Sequence, residues 1–106
     1  MKYIITENRL SMLVVKFINS TYGELNQVYK KNKDKYEWYK DGEKFNNRHF
    51  IFEMNSSGTL LIPYSLLQNL SHFLGIDNSE DFDKAMISAW EYMFGITPKR
   101  VYTYFD

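Results

Sequence analysis

The stretch Tyr36–Phe45, YEWYKDGEKF, sets aromatic rings and charges of both signs side by side. Two readings compete for it: a stacking platform for nucleic-acid bases, or a β-hairpin with one wet side. Asp41-Gly42 favours the hairpin, because Asp-Gly fits the two-residue turn whose twist matches paired strands. With that dipeptide as the loop, Lys40 faces Glu43 and Trp38 faces Phe45 on one side, while Tyr39 faces Lys44 on the other. An opposite-charge pair and an aromatic pair in register each stabilise such a pairing by roughly 0.2–1 kcal/mol. The rings are thus explained as architecture, and a sheet becomes the centre of the fold.

Working outward, Arg48–Asn55 alternates Phe50, Phe52 and Met54 against His49, Ile51 and Glu53. Ser56-Ser57-Gly58 then reads as a turn and Thr59–Ile62 as the returning strand. Lys2–Ile5 reads as a short first strand. Lys99–Phe105 reads as a last one, placed after Thr97-Pro98 because proline cannot continue a helix. Three helical patterns surround these strands, each closed by glycine at Gly23, Gly75 or Gly95. The first starts at the N-cap Thr6 and carries Leu10, Leu13, Val14, Phe17 and Ile18 on one face, which Met12 and Val15 widen. The second is entered through Pro63-Tyr64-Ser65 and presents Leu66, Leu67, Leu70, Phe73 and Leu74. The third has Phe82, Ala85, Met86, Ala89, Trp90 and Met93 behind a capping box at Asp77–Glu80. The expected fold is α+β: a small antiparallel β-meander of four or five strands packed by three α-helices, one domain over residues 1–106.

Composition narrows the function classes. The chain has no cysteine, which removes disulfides and thiolate metal sites. No apolar run has the length of a membrane span. MKYIITENRL turns polar after Thr6, unlike a signal peptide, so the expected location is the cytoplasm. Thirteen basic residues balance thirteen acidic ones, whereas proteins living on phosphate contacts usually carry a positive excess. Residues with AT-rich codons (Phe, Tyr, Ile, Asn, Lys) far outnumber Gly, Ala, Arg and Pro, so part of the aromatic content reflects coding bias.

The candidate chemistry is sparse. Asp77–Asp83 is acidic, but a calcium loop would need glycine where Phe82 stands and glutamate where Ser88 stands. Acids meeting the positive end of a helix explain the run better. His49 shares a strand face with Glu53, yet four residues along a strand is roughly 13 Å, too far for a base and its orienting acid. His72 has no nucleophile beside it in sequence. No phosphate loop or nucleophile elbow occurs, so the expectation is a non-enzyme without metal or cofactor. A small enzyme with a site invisible in sequence ranks third among the readings.

Protein binding ranks first. Tyr36, Trp38, Tyr39, Tyr102 and Tyr104 are the candidate contact residues, because tyrosine and tryptophan give large contact area at small entropic cost. A terminal strand on a sheet edge also offers unpaired backbone groups to a protein partner or to another copy of the chain. The alternative is nucleic-acid binding through Lys30, Lys31, Lys33, Lys35, Lys40, Lys44 and Arg48, with the rings of the same segment stacking bases.

The opening MKYIITENRL, the turn MNSSGTLLIPY and the late EYMFGITP resemble segments of small uncharacterised open reading frames of tailed bacteriophages and marine environmental sequences. The resemblance implies a phage-like origin, a virion component or a modulator of a host protein, and no known activity.

Overall fold

Strand β2 (Lys35–Tyr39) occupies the core of the opening stretch, but its neighbours are not the expected ones. The computed structural model describes residues 7–40, 50–76 and 79–105. Trp38 lies between Gln27 on one side and Phe52 on the other, so both edges of β2 are taken. The Asp41-Gly42 turn, the pairs drawn across it, the Lys2–Ile5 strand and the Thr6 cap all fall outside the described residues.

The strand upstream of β2 escaped the sequence reading. β1 (Asn26–Lys30) pairs antiparallel with β2 from Asn26↔Tyr39 to Lys30↔Lys35. Its sequence, NQVYK, has no apolar alternation to announce it, and the Lys31–Asp34 connection looks like an ordinary charged run. Asp34 turns that corner with φ 51°, a left-handed conformation that aspartate tolerates better than most residues. Its carboxylate accepts a hydrogen bond from the Tyr29 hydroxyl at 2.6 Å.

β3 (Phe52–Met54) and β4 (Thr59–Pro63) form the expected hairpin. Asn55 organises its turn: its side-chain oxygen accepts from the backbone N–H groups of Ser57 and Thr59, both at 3.1 Å. Helices α1 (Glu7–Tyr22), α2 (Tyr64–Leu74) and α3 (Ser79–Phe94) match the three periodic patterns. α2 ends as anticipated, with Gly75 left-handed and the Ile76 N–H reaching back to the Ser71 carbonyl.

The last strand, β5 (Arg100–Tyr104), completes a five-stranded sheet in the order β1-β2-β3-β4-β5. β5 joins the antiparallel meander β1–β4 as a last strand running parallel to β4. The cause is the connection: two helices separate β4 from β5, and such a crossover returns the chain in the same direction. The fold is therefore α+β with a mixed, mostly antiparallel sheet.

One face of this sheet meets the helices. Trp38, Phe52, Leu60, Ile62 and Val101 stand on it, and they join Val14, Ile18, Leu66, Leu70, Met86 and Trp90 in a single core. Rings dominate its centre: Trp38 meets Trp90 edge-on at 5.1 Å, and Phe52 meets Trp90 at 4.7 Å.

Gly58 is the joint between β4 and β5. Its carbonyl accepts from the Lys99 N–H at 2.8 Å, and its φ of +88° is a conformation side chains rarely adopt. A Cβ there would stand 2.9 Å from Lys99 Cγ. Gly58→Ala is therefore expected to cost about 1–2 kcal/mol from the backbone alone. Chemical denaturation should show a lower midpoint with an unchanged slope; an unaltered midpoint would disprove the assignment.

Candidate functional site

The second face of the sheet, turned away from the helices, carries Lys35, Glu37 and Tyr39 from β2, Glu53 from β3, and Arg100, Tyr102 and Tyr104 from β5. Strand alternation places them there, since each is one residue from a core-facing neighbour. On this face Glu37 is buried and fully engaged. One of its oxygens accepts from the Tyr39 hydroxyl at 2.6 Å, the other from Lys35 Nζ at 3.0 Å. Lys35 also reaches Glu53 at 3.1 Å, and Lys30 approaches Glu37 at 3.8 Å.

The charges follow from this geometry. Burial pushes the Glu37 carboxyl up, but the hydrogen bonds from Tyr39 and Lys35 outweigh it and hold the group below the usual glutamate range. Burial pulls Lys35 down, yet its bonds to Glu37 and Glu53 leave it above an ordinary lysine. Tyr39 is pushed up to about 12 by burial and by donating its proton toward Glu37. Each group holds its partner in the form it already has at neutral pH. Such a closed set stabilises structure; it has no group poised to exchange a proton with a substrate.

The sequence reading missed this cluster. Lys35 and Glu37 were visible two apart on one strand face, but Glu53 had been set beside His49, and only the β2–β3 register brings it opposite Glu37.

The predicted contact residues scatter. Trp38 is fully buried beneath Trp90 and Phe94, and its Nε1 donates to the Gln27 side chain at 3.1 Å. Tyr39 is buried with its hydroxyl committed to Glu37. Both are corrected from surface contacts to interior residues: β2 is a central strand with neighbours on each side. Tyr36 is half-buried on the helix-facing side, between the rings of Tyr29 at 5.0 Å and Trp38 at 5.9 Å. Tyr104 is half-buried, packed on Phe50 and donating to the Ile51 carbonyl at 2.7 Å. Tyr102 alone of the five stands well out, 60% exposed.

The basic set divides similarly. Lys30 and Lys35 are drawn into the Glu37 cluster, whereas Lys31, Lys33 and Lys40 are exposed. Lys44 and Arg48 lie outside the described residues, as does His49. His72 is exposed in the last turn of α2.

An open depression of about 820 Å³ lies where the ends of α1 and α3 meet, floored by Val15, Leu25, Met93 and Phe94, with Tyr92 and Glu24 at its sides. Glu24 is the one charged side chain lining it, so it holds no acid–base pair. Among the described residues no group of three or more His, Asp or Glu is arranged to hold a metal ion. No described helix is long and apolar enough to cross a membrane.

What remains is the margin of the sheet. β5 is its last strand, and among the described residues no strand pairs with its outer side. The Gly58 carbonyl accepts from the Arg100 N–H as well as from that of Lys99, while Thr59 turns its own carbonyl to Asn55, just past β3. Leu60 and Ile62 therefore face β5, and the backbone groups of Tyr102 and Tyr104 turn toward β4. Those of Val101 and Thr103 point outward. Beyond the strand Phe105 is 88% exposed, resting on the Tyr64 ring at 5.2 Å.

Taken together these features define a small α+β domain whose buried polar cluster is structural and whose sheet ends in an open, aromatic edge. Comparison with protein-family models, with curated proteins and with solved structures returned no match.

Proposed function

We propose that the protein is a non-catalytic protein-binding module, and that it takes an extended segment of a partner along the outer edge of β5. The observation that carries this reading is the edge itself: outward backbone groups flanked by the exposed rings of Tyr102 and Phe105. Strand addition draws affinity from backbone hydrogen bonds and specificity from alternate side chains, and both are on offer here. The resemblance to small phage proteins supports placing it as a virion component or a modulator of a host protein.

The test separates backbone from ring. Thr103→Pro removes an outward N–H without touching the ladder to β4, a position where an edge strand tolerates proline. Tyr102→Thr removes the ring and keeps the backbone. A displayed library of unstructured peptides, panned against the wild-type domain, should yield binders that Thr103→Pro loses and Tyr102→Thr retains in part. No enrichment, or binders indifferent to Thr103→Pro, would refute the reading.

A further inference from the structure

We infer that the depression where α1 and α3 end binds a small organic cation, an ammonium group carried on an aromatic or alkyl body. The site is independent of the β5 edge. Leu25, directly ahead of β1, sets it at the opposite margin of the sheet.

The charge of the occupant follows from what the two helices bring here. α1 closes at Tyr22 and α3 at Phe94, and both endings line the depression, the first through Asn19 and Gly23, the second through Tyr92, Met93 and Phe94. A helix C-terminus carries partial negative charge, equivalent to about half an elementary charge and felt within its last turn. Neither α1 nor α3 has a basic residue in that turn to answer it. Glu24 adds a full negative charge at the side, and among the described residues it makes no ion pair.

A smaller depression of about 470 Å³ adjoins the first at Tyr92. Its one charged lining residue is Glu91, whose carboxylate accepts from the Thr97 hydroxyl at 2.6 Å. Lys16, exposed about one turn before the end of α1, lines neither depression. Every full charge in the two linings is therefore negative.

The body of the occupant follows from the floor. Val15, Leu25, Met93 and Phe94 offer apolar surface, and the Tyr92 ring, 66% exposed, offers a face over which a cation is attracted. The Asn19 side-chain oxygen is an acceptor for an ammonium N–H. A volume of about 820 Å³ lies within the range of small-molecule sites, roughly 300–1,000 Å³. A bare metal ion would leave the apolar floor uncovered, and a neutral apolar molecule would leave the negative ends unanswered. An amphipathic ammonium ion meets both.

The test uses phenethylamine, which is cationic at neutral pH, and amide NMR spectra of the full chain. The amine should shift the amides of Asn19, Gly23, Leu25 and Tyr92 saturably, with a Kd of about 1 mM or tighter for its roughly nine heavy atoms. Phenethyl alcohol, the same body without the charge, should bind at least about fivefold more weakly. Methylammonium, the charge without the body, should bind at least about tenfold more weakly. Glu24→Gln changes an exposed position and leaves the fold intact; it should weaken the amine about threefold and leave the alcohol unaffected. Equal affinity for amine and alcohol, shifts confined to residues away from the two helix ends, or no saturation by about 10 mM amine would overturn the inference. Acetyl-lysinamide binding about tenfold tighter than phenethylamine would overturn it as well, and would assign the depression to a lysine of a protein partner.

Discussion

Trp38→Ala should cost a large part of the protein's stability, although the sequence offers Trp38 as a candidate contact residue. The side chain is fully buried and touches the rings of Tyr36, Trp90 and Phe94, so its removal opens a cavity that rigid aromatic neighbours cannot fill. Large-to-small changes of this kind cost about 3–5 kcal/mol. Domains of this size hold only about 5–15 kcal/mol in total, so the loss takes at least about a fifth of the stability and, at the low end of that range, most of it. Thermal denaturation should place the midpoint at least about 10 °C lower, or show no cooperative transition. A comparison refines the result. Trp38 Nε1 donates to Gln27, while Trp90 Nε1 is buried with no hydrogen-bond partner among the described residues. Trp38→Phe loses the hydrogen bond to Gln27, whereas Trp90→Phe removes an unsatisfied donor along with some volume. The Trp90→Phe variant should be the more stable of the two by about 1 kcal/mol. A Trp38→Ala protein with wild-type stability and altered oligonucleotide binding would restore the base-stacking reading.

That contrast shows what local sequence carries and what it does not. Helices announce themselves through apolar spacing and glycine stops, and α1, α2 and α3 lie where Val14 and Ile18, Leu66 and Leu70, and Met86 and Trp90 place them. The Ser57-Gly58 turn is equally local. Register across distant strands is another matter. Whether Trp38 meets Phe45 or Phe52 depends on a choice among competing partners, and Asp41-Gly42 offered a persuasive local one. β1 was hidden because three of its five residues, Asn26, Gln27 and Lys30, are polar and fall on both faces, as an edge strand permits. The direction of β5 was invisible for a related reason: nothing within RVYTYF records that two helices precede it in the crossover. The candidate edge inherits this division. Tyr102 was legible as a ring on a terminal strand, but its exposure, unlike the burial of Tyr39, follows from a strand order that only the folded chain displays.

The second large effect is expected on the opposite face, at Lys35. Lys35→Met keeps most of the aliphatic stem and removes the ammonium that Glu37 and Glu53 share. Glu37 has a side chain only 8% exposed, and Lys35 is 17% exposed, so solvent does not readily replace the lost partner. Deleting one member of a buried pair typically costs about 3–5 kcal/mol. Here Lys30 remains at 3.8 Å and Tyr39 still donates, so about 2–3 kcal/mol is expected for this cluster. The pH dependence carries the diagnosis. Glu37 is held below its ordinary value, so its contribution is complete above the unfolded-state pKa and is lost as pH falls through the folded one. Tyr39 and Lys35 are raised, so theirs are complete below the unfolded values and are lost as pH climbs, for Tyr39 between 10.0 and about 12. Denaturation across pH should therefore show wild-type stability falling at both extremes. In Lys35→Met the acid limb should shift to higher pH, because Glu37 loses a strong donor, and the alkaline loss should shrink. Tyr39→Phe should remove a tyrosinate that titrates at about 12 in near-ultraviolet absorbance and weaken the same alkaline loss. If Lys35→Met were as stable as wild type with both limbs unmoved, the cluster would be a surface ornament, and the second face of the sheet would be open to reassignment as a binding surface.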